Sequence, residues 1–67
     1  MIEVEVNGET RQVAPETTVA ALLEELGAAR PGVAVAMNGH VVARSTWADT
    51  TLSDGARVEI LSAVQGG

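Results

Sequence analysis

No cysteine and no lysine occur in this chain of 67 residues, and Trp47 is its only aromatic side chain. Without cysteine there is no disulfide framework, no thiolate metal site and no catalytic thiol, so a reducing, intracellular compartment is the expected home. Any sulfur chemistry has to use another atom. Without lysine, the chain cannot be linked to copies of itself through side-chain amines. Only four arginines stand against nine acidic residues, a formal charge of −5. Neutralising phosphates needs clustered basic side chains, so the expectation is no nucleic acid and no membrane among the partners, and a protein with a basic docking surface instead. No apolar run approaches the ~20 residues of a membrane helix, and MIEVEV lacks the basic-then-apolar plan of a signal peptide. A soluble, cytoplasmic protein is expected. A chain this short forms one modest core and has no room for an enclosed active site.

What is present is patterned. Ile2-Glu3-Val4-Glu5-Val6 alternates strictly, as a half-buried strand does, and Asn7-Gly8 is a strong hairpin signal that makes Glu9 to Val13 the return strand. Ala14-Pro15-Glu16 breaks the pairing. Thr17 or Thr18 is then placed to cap a helix whose apolar positions Val19, Leu22, Leu23 and Leu26 fall on one face, with Gly27 as its stop and Pro31 soon after. Glu24 and Glu25 oppose the helix dipole by a few tenths of a kcal/mol, with no compensation visible in the sequence. Val33 to Met37 reads as a third strand, Asn38-Gly39 as a turn and Val41-Val42 as a brief fourth strand. Arg44 to Thr51 has no clear period and suits a turn or helical loop around Trp47, and Arg57 to Ser62 is the last strand after the turn Ser53-Asp54-Gly55.

The order β-β-α-β-β-β allows one helix to cross one face of a mixed sheet and leaves nothing to cover the other. This is an α+β, β-grasp layout of four to five strands on one helix. Its expected extent is residues 1–64, with 65–67 as a flexible diglycine tail.

Glycine loses more freedom on ordering than any other residue, so Gly66-Gly67 is not there for folding. At average glycine usage, two terminal glycines arise by chance in roughly one chain in two hundred. Side-chain-free residues suit a narrow tunnel, and an extended Val64 to Gly67 reaches on the order of 13 Å, enough to enter a cleft while the folded body docks outside. A terminal carboxylate, with its pKa near about 3.5, is a poor electrophile until it is activated.

VAVAMNGHVVARSTW and DGARVEILSAVQGG resemble the bacterial sulfur carriers of thiamin biosynthesis, the ThiS family of ubiquitin-like folds. The resemblance runs over essentially the whole chain, including Asn7-Gly8, the Thr-initiated helix and the diglycine. It implies a protein cosubstrate rather than an enzyme. A ThiF-like adenylating enzyme would spend ATP to activate Gly67, a persulfide or sulfide donor would displace AMP, and the thiocarboxylate would deliver sulfur to a ThiG-like thiazole synthase. The carrier itself would bind no cofactor and no metal.

Strand alternation sends Glu59 and Leu61 to the open face when Val58 and Ile60 face the helix, with the small Ala34 and Ala36 on the same side. With the last strand central, these residues form a shallow apolar patch fringed by Glu3, Glu5 and Glu59. Either it docks a partner or it is an ordinary sheet face. The expected reactive site is Gly67 with Gly66, and the expected partner contacts are Leu61, Ala63, Val64, Gln65, Ala34, Ala36 and Glu59. Gln65 stands where many such carriers have a third glycine.

The remaining chemistry-bearing residues form no recognisable set. His40 has no second ligand and reads as a turn-flanking residue. Trp47 reads as a packing anchor, with a partner contact as its alternative, and Arg44 as either a family feature or a solvated charge. Neither a glycine-rich phosphate loop nor a Ser/His/Asp set is placed to work. Carriers for molybdopterin, tRNA thiolation or cysteine synthesis share the diglycine logic. Two further rivals are a ubiquitin-like modifier using the same activated tail and a non-covalent β-grasp binding module.

Overall fold

Two asparagine-glycine turns set the sheet. Asn7 and Gly8 lie at φ +50° and +86°, and Asn38 and Gly39 at +53° and +84°. Both central residues are left-handed, as in the turns whose twist matches that of paired strands. The first turn joins β1 (Ile2–Val6) to β2 (Glu9–Val13), and the second joins β3 (Val33–Met37) to β4 (His40–Val42). The computed structural model describes residues 1–62. In it, β5 (Arg57–Ser62) lies between the hairpins, parallel to β1 and antiparallel to β3, giving the five-stranded order β2-β1-β5-β3-β4. This is the mixed β-grasp sheet expected from the element order, and β4 begins one residue earlier than the apolar pair Val41-Val42 suggests.

Helix α1 (Val19–Glu25) is short and capped at both ends. The choice between the two threonines falls to Thr18, whose Oγ1 accepts from the Ala21 N–H at 3.1 Å, while the Thr17 hydroxyl donates to the Ala14 carbonyl at 2.6 Å. At the far end Gly27 takes φ +72°. The Gly27 and Ala28 N–H groups then close onto the Glu24 and Leu23 carbonyls at 3.1 and 2.8 Å. That pair of bonds satisfies carbonyls that the acidic last turn leaves without a basic partner.

Val19, Leu22 and Leu23 pack without solvent exposure against Val4, Val35 and Val58 of the sheet. The segment Arg44–Asp49 is a 3₁₀ helix, and its Trp47 is buried on the helix side, with Nε1 donating to the Val42 carbonyl at 2.9 Å. Thr50 to Leu52 then runs beside the start of α1. There the Val19 N–H reaches the Thr50 carbonyl and the Leu52 N–H reaches the Thr17 carbonyl, each at 2.8 Å. Leu52 and Ala56 join the core by this route, which no periodicity in the sequence announces. Among the described residues, no helix is long and apolar enough to cross a membrane.

One residue is strained. Ala14 to Thr17 closes a turn through Thr17 N–H to Ala14 carbonyl at 3.2 Å, with Glu16 at φ +71°. Pro15 suits the first central position of such a turn, and glycine suits the second. Glu16→Gly is therefore expected to raise stability by about 0.5 kcal/mol, the relief of left-handed strain less the entropy cost of glycine. An unchanged urea midpoint would show that the turn holds no such strain.

Candidate functional site

The uncovered face of the sheet is built by alternation along β5. Val58 is fully buried and Ile60 half-buried against the helix layer, whereas Glu59 and Leu61 point the other way. Register places Ala34 opposite Leu61 and Ala36 opposite Glu59. A methyl group beside Leu61 leaves its isobutyl group standing free, and Leu61 is 68% exposed. The four residues expected to share this face do share it.

Val41 extends the patch. It pairs with Ala36, and with Val42 turned toward the core it faces out, 83% exposed. Sequence reading missed it as a surface residue because Val41-Val42 looks like core from either side, although the two-residue alternation from the Asn38-Gly39 turn would have separated them. Leu61, Ala34, Ala36 and Val41 thus make an apolar stripe across three strands.

Charge borders the stripe on the β1 side. Glu3 and Glu5 alternate with the core valines, and the Glu3 N–H is held by Asp54 Oδ1 at 2.8 Å. Arg57 approaches Glu5 with Nε–Oε1 at 3.9 Å, both side chains well solvated. Such a pair is worth well under about 1 kcal/mol and leaves the rim acidic. A shallow groove lined by Glu5, Asn7, Gly8, Arg57, Glu59 and Leu61 runs beside the end of β5. An apolar stripe with an acidic rim suits a partner surface carrying apolar residues amid arginine or lysine.

β5 itself is held from both turns. Asn38 pinches its start, with Asn38 N–H donating to the Arg57 carbonyl at 2.8 Å and Asn38 Oδ1 accepting from the Arg57 N–H at 2.9 Å. Asn7 holds its far part through Ile60: Oδ1 accepts from the Ile60 N–H at 2.8 Å and Nδ2 donates to the Ile60 carbonyl at 3.2 Å. The asparagine-glycine signal reveals the turns but not these second attachments, which join positions far apart in the chain.

The other singled-out residues lie away from this face. Trp47 is 5% exposed, which makes it the packing anchor and removes it as a surface contact. Arg44 is exposed, as a solvated charge is, but it is tethered: its Cζ sits 4.5 Å over the Trp47 ring and Nη2 donates to the Arg30 carbonyl at 2.9 Å. His40 is exposed at the start of β4, and among the described residues no three His, Cys, Asp or Glu side chains gather into a metal-binding group. Ala63, Val64, Gln65, Gly66 and Gly67 lie outside the described residues.

A profile of the ThiS family matches residues 4–67. The chain is 34% identical over 61 residues to the sulfur carrier protein ThiS of Escherichia coli, covering 91% of this chain and 92% of that one. It is also 40% identical over 62 residues to a thiazole synthase of Paramagnetospirillum magneticum, but spans only 19% of that protein's length. The crystal structure of the thiamine biosynthesis protein ThiS from Geobacter metallireducens superimposes with a TM-score of 0.83 at 36% identity, over 98% of this chain and 100% of that one. A solution structure of a thiamine biosynthesis protein from the same organism gives 0.80 at 36% identity, over 98% and 88%.

The two sides of the sheet are expected to respond differently to substitution. Leu61→Arg should change stability by no more than about 0.5 kcal/mol, whereas Val58→Ala, one position from Glu59, should cost about 2 kcal/mol. Chemical denaturation followed through Trp47 fluorescence measures both, and a Leu61→Arg loss comparable to that of Val58→Ala would mean that Leu61 is part of the core.

Proposed function

The chain belongs to the ThiS family, and from that premise we propose that it is a sulfur carrier of thiamin biosynthesis, a cosubstrate whose Gly67 carboxylate is converted to a thiocarboxylate. The observation that carries this reading is the family match, which runs through the sheet and on to residue 67, where the diglycine lies. The carboxylate attacks the α-phosphorus of ATP held by a ThiF-like adenylating enzyme, forming the acyl-adenylate and releasing pyrophosphate. Sulfide, or the outer sulfur of a persulfide, then attacks the acyl carbon, and AMP leaves. With a persulfide the product is an acyl disulfide. A thiol reduces it, forming a new disulfide with the donor sulfur and freeing the thiocarboxylate. ATP is bound by the enzyme, and the carrier needs no cofactor of its own.

Thiazole synthase is the proposed acceptor. A relative named for that activity contains a segment 40% identical to this chain, which favours thiazole formation over molybdopterin, tRNA or cysteine as the destination of the sulfur. Docking is assigned to the stripe around Leu61, whose acidic surroundings favour a basic partner and accelerate encounter at low salt.

Intact-mass measurement after incubation with ATP, an adenylating enzyme and a persulfide donor tests the chemistry. The expected gain is that of one oxygen exchanged for sulfur, absent when Gly66 and Gly67 are deleted. No gain, with an enzyme that thiolates its own carrier in the same mixture, would overturn the reading. For the docking face, Leu61→Arg places a cation where a basic partner is expected and should raise the KM for adenylation about tenfold, roughly 1.4 kcal/mol. An unchanged KM in a folded variant would remove Leu61 from the interface.

A further inference from the structure

The parallel contact between β1 and β5 is short. Its register spans only Glu5 with Arg57 and Val6 with Val58, and the Asn7 N–H closes onto the Val58 carbonyl at 2.9 Å before the chain turns away through Gly8. β5 nevertheless continues to Ser62. Beyond Val58 on that side, the next backbone groups to need partners are the N–H and C=O of Ile60, and β1 has no further residue to offer. The Asn7 side chain supplies both, accepting at 2.8 Å and donating at 3.2 Å. A carboxamide carries the same donor and acceptor as a peptide group, so it acts as one more rung of the ladder.

Resting on the carrier reading above, we infer that Asn7 is a positioning residue for the reaction at the tail: its carboxamide fixes Ile60, and through it Leu61 and Ser62, the residues that precede 63–67. On their other side Leu61 and Ser62 pair with Ala34 and Val33 of β3. Without the clasp, the end of β5 is held from one side only. The partner would still dock on the stripe, but the residues following Ser62 would start from a spread of positions and directions. Misplacement of a reacting group by about 1 Å can cost ~100-fold in rate. Because Leu61 keeps its pairing with Ala34, the loss falls more on the reaction within the complex than on docking.

Asn38 provides the matched control. It sits at the equivalent position of the other asparagine-glycine turn, has a similar φ, and uses its Oδ1 on β5, but at Arg57, the opposite end of the strand. In Asn7→Gly and Asn38→Gly the left-handed turn survives and only the side-chain bonds to β5 go.

Amide exchange by NMR and steady-state adenylation together test the inference. Asn7→Gly is expected to lower protection of the Ile60 N–H at least tenfold while Val58 keeps its protection. It should also lower kcat for adenylation about tenfold or more, a larger change than any rise in KM, because Leu61 keeps its pairing with Ala34. Asn38→Gly should leave both constants within twofold. Asn7→Asp retains the acceptor but not the donor, and should fall between the unsubstituted chain and Asn7→Gly in kcat. Full Ile60 protection in Asn7→Gly would show that the clasp does not hold the strand. Lost protection with an unchanged kcat, or equal losses in both glycine variants, would reduce Asn7 to a turn residue. An unsubstituted chain that accepts no AMP would overturn the carrier reading and the use inferred for the clasp, while the exchange measurement would still report whether the clasp exists.

Discussion

The last strand holds the sheet together. β1 and β2 form one hairpin and β3 and β4 another, and each can pair locally through its own turn. The hairpins are not neighbours, however, and β5 is the strand that bonds to both. Gly55 N–H to the Glu3 carbonyl at 2.7 Å, Glu5 N–H to the Ala56 carbonyl at 2.9 Å and Asn7 N–H to the Val58 carbonyl at 2.9 Å stitch the N-terminal strand to residues more than fifty positions away. These bonds close long loops, whose entropy cost rises slowly with length but has to be met before the contacts form. The helix depends on the same closure, because Val19, Leu22 and Leu23 have a continuous apolar floor only when Val58 lies between Val4 and Val35.

Among the described residues, one helix and one 3₁₀ segment cover one face of five strands, so the core forms on that side. The side chains of Val4, Val6, Val35 and Val58 enter the core, and their neighbours along each strand are sent outward by the pleat. On β1 those neighbours are glutamates, and on β3 they are alanines. This arrangement yields an acidic rim and a low apolar floor from which Leu61 and Val41 project. Larger residues at Ala34 and Ala36 would shield Leu61 from solvent, so the small side chains are what make it accessible. The features on which the proposed docking rests follow from the alternation that builds the core.

Local signals carried most of the fold. Strict alternation, the two Asn-Gly pairs, a capping threonine and the glycine that ends the helix are each read within a few residues, and the strands, hairpins and helix stand where those signals put them, apart from the one-residue earlier start of β4. The open-face residues Ala34, Ala36, Glu59 and Leu61 follow from alternation once the strand order is known. What escaped was decided at long range. Leu52 is buried because residues 50–52 bond to the start of the helix, and Arg44 loses its apparent freedom because Arg30 and Trp47 are brought to it. Asn7 and Asn38 are legible as turn residues, but their grip on β5 depends on a pairing between elements that no local window contains. Val41 was obscured by an apolar neighbour that faces the opposite way.

The placement of β5 also bears on two tasks that a small carrier has to combine. Recognition needs a broad, fixed surface, and reaction needs a slender segment that can enter a closed site. On the proposed reading both meet on one strand: Glu59 and Leu61 contribute to the surface, and the sequence after Ser62 leads to the diglycine. Because the strand is central, its position is set from two sides, by β3 along its length and by β1 and the Asn7 carboxamide on the other edge. A central strand moves less than an edge strand, since displacing it breaks hydrogen bonds on both flanks. On the proposed reading, a docked body holds Ser62, the last strand residue before the tail, at a fixed distance from the partner's reaction centre. Binding energy gathered on the stripe is then available to orient a group beyond the surface that supplied it.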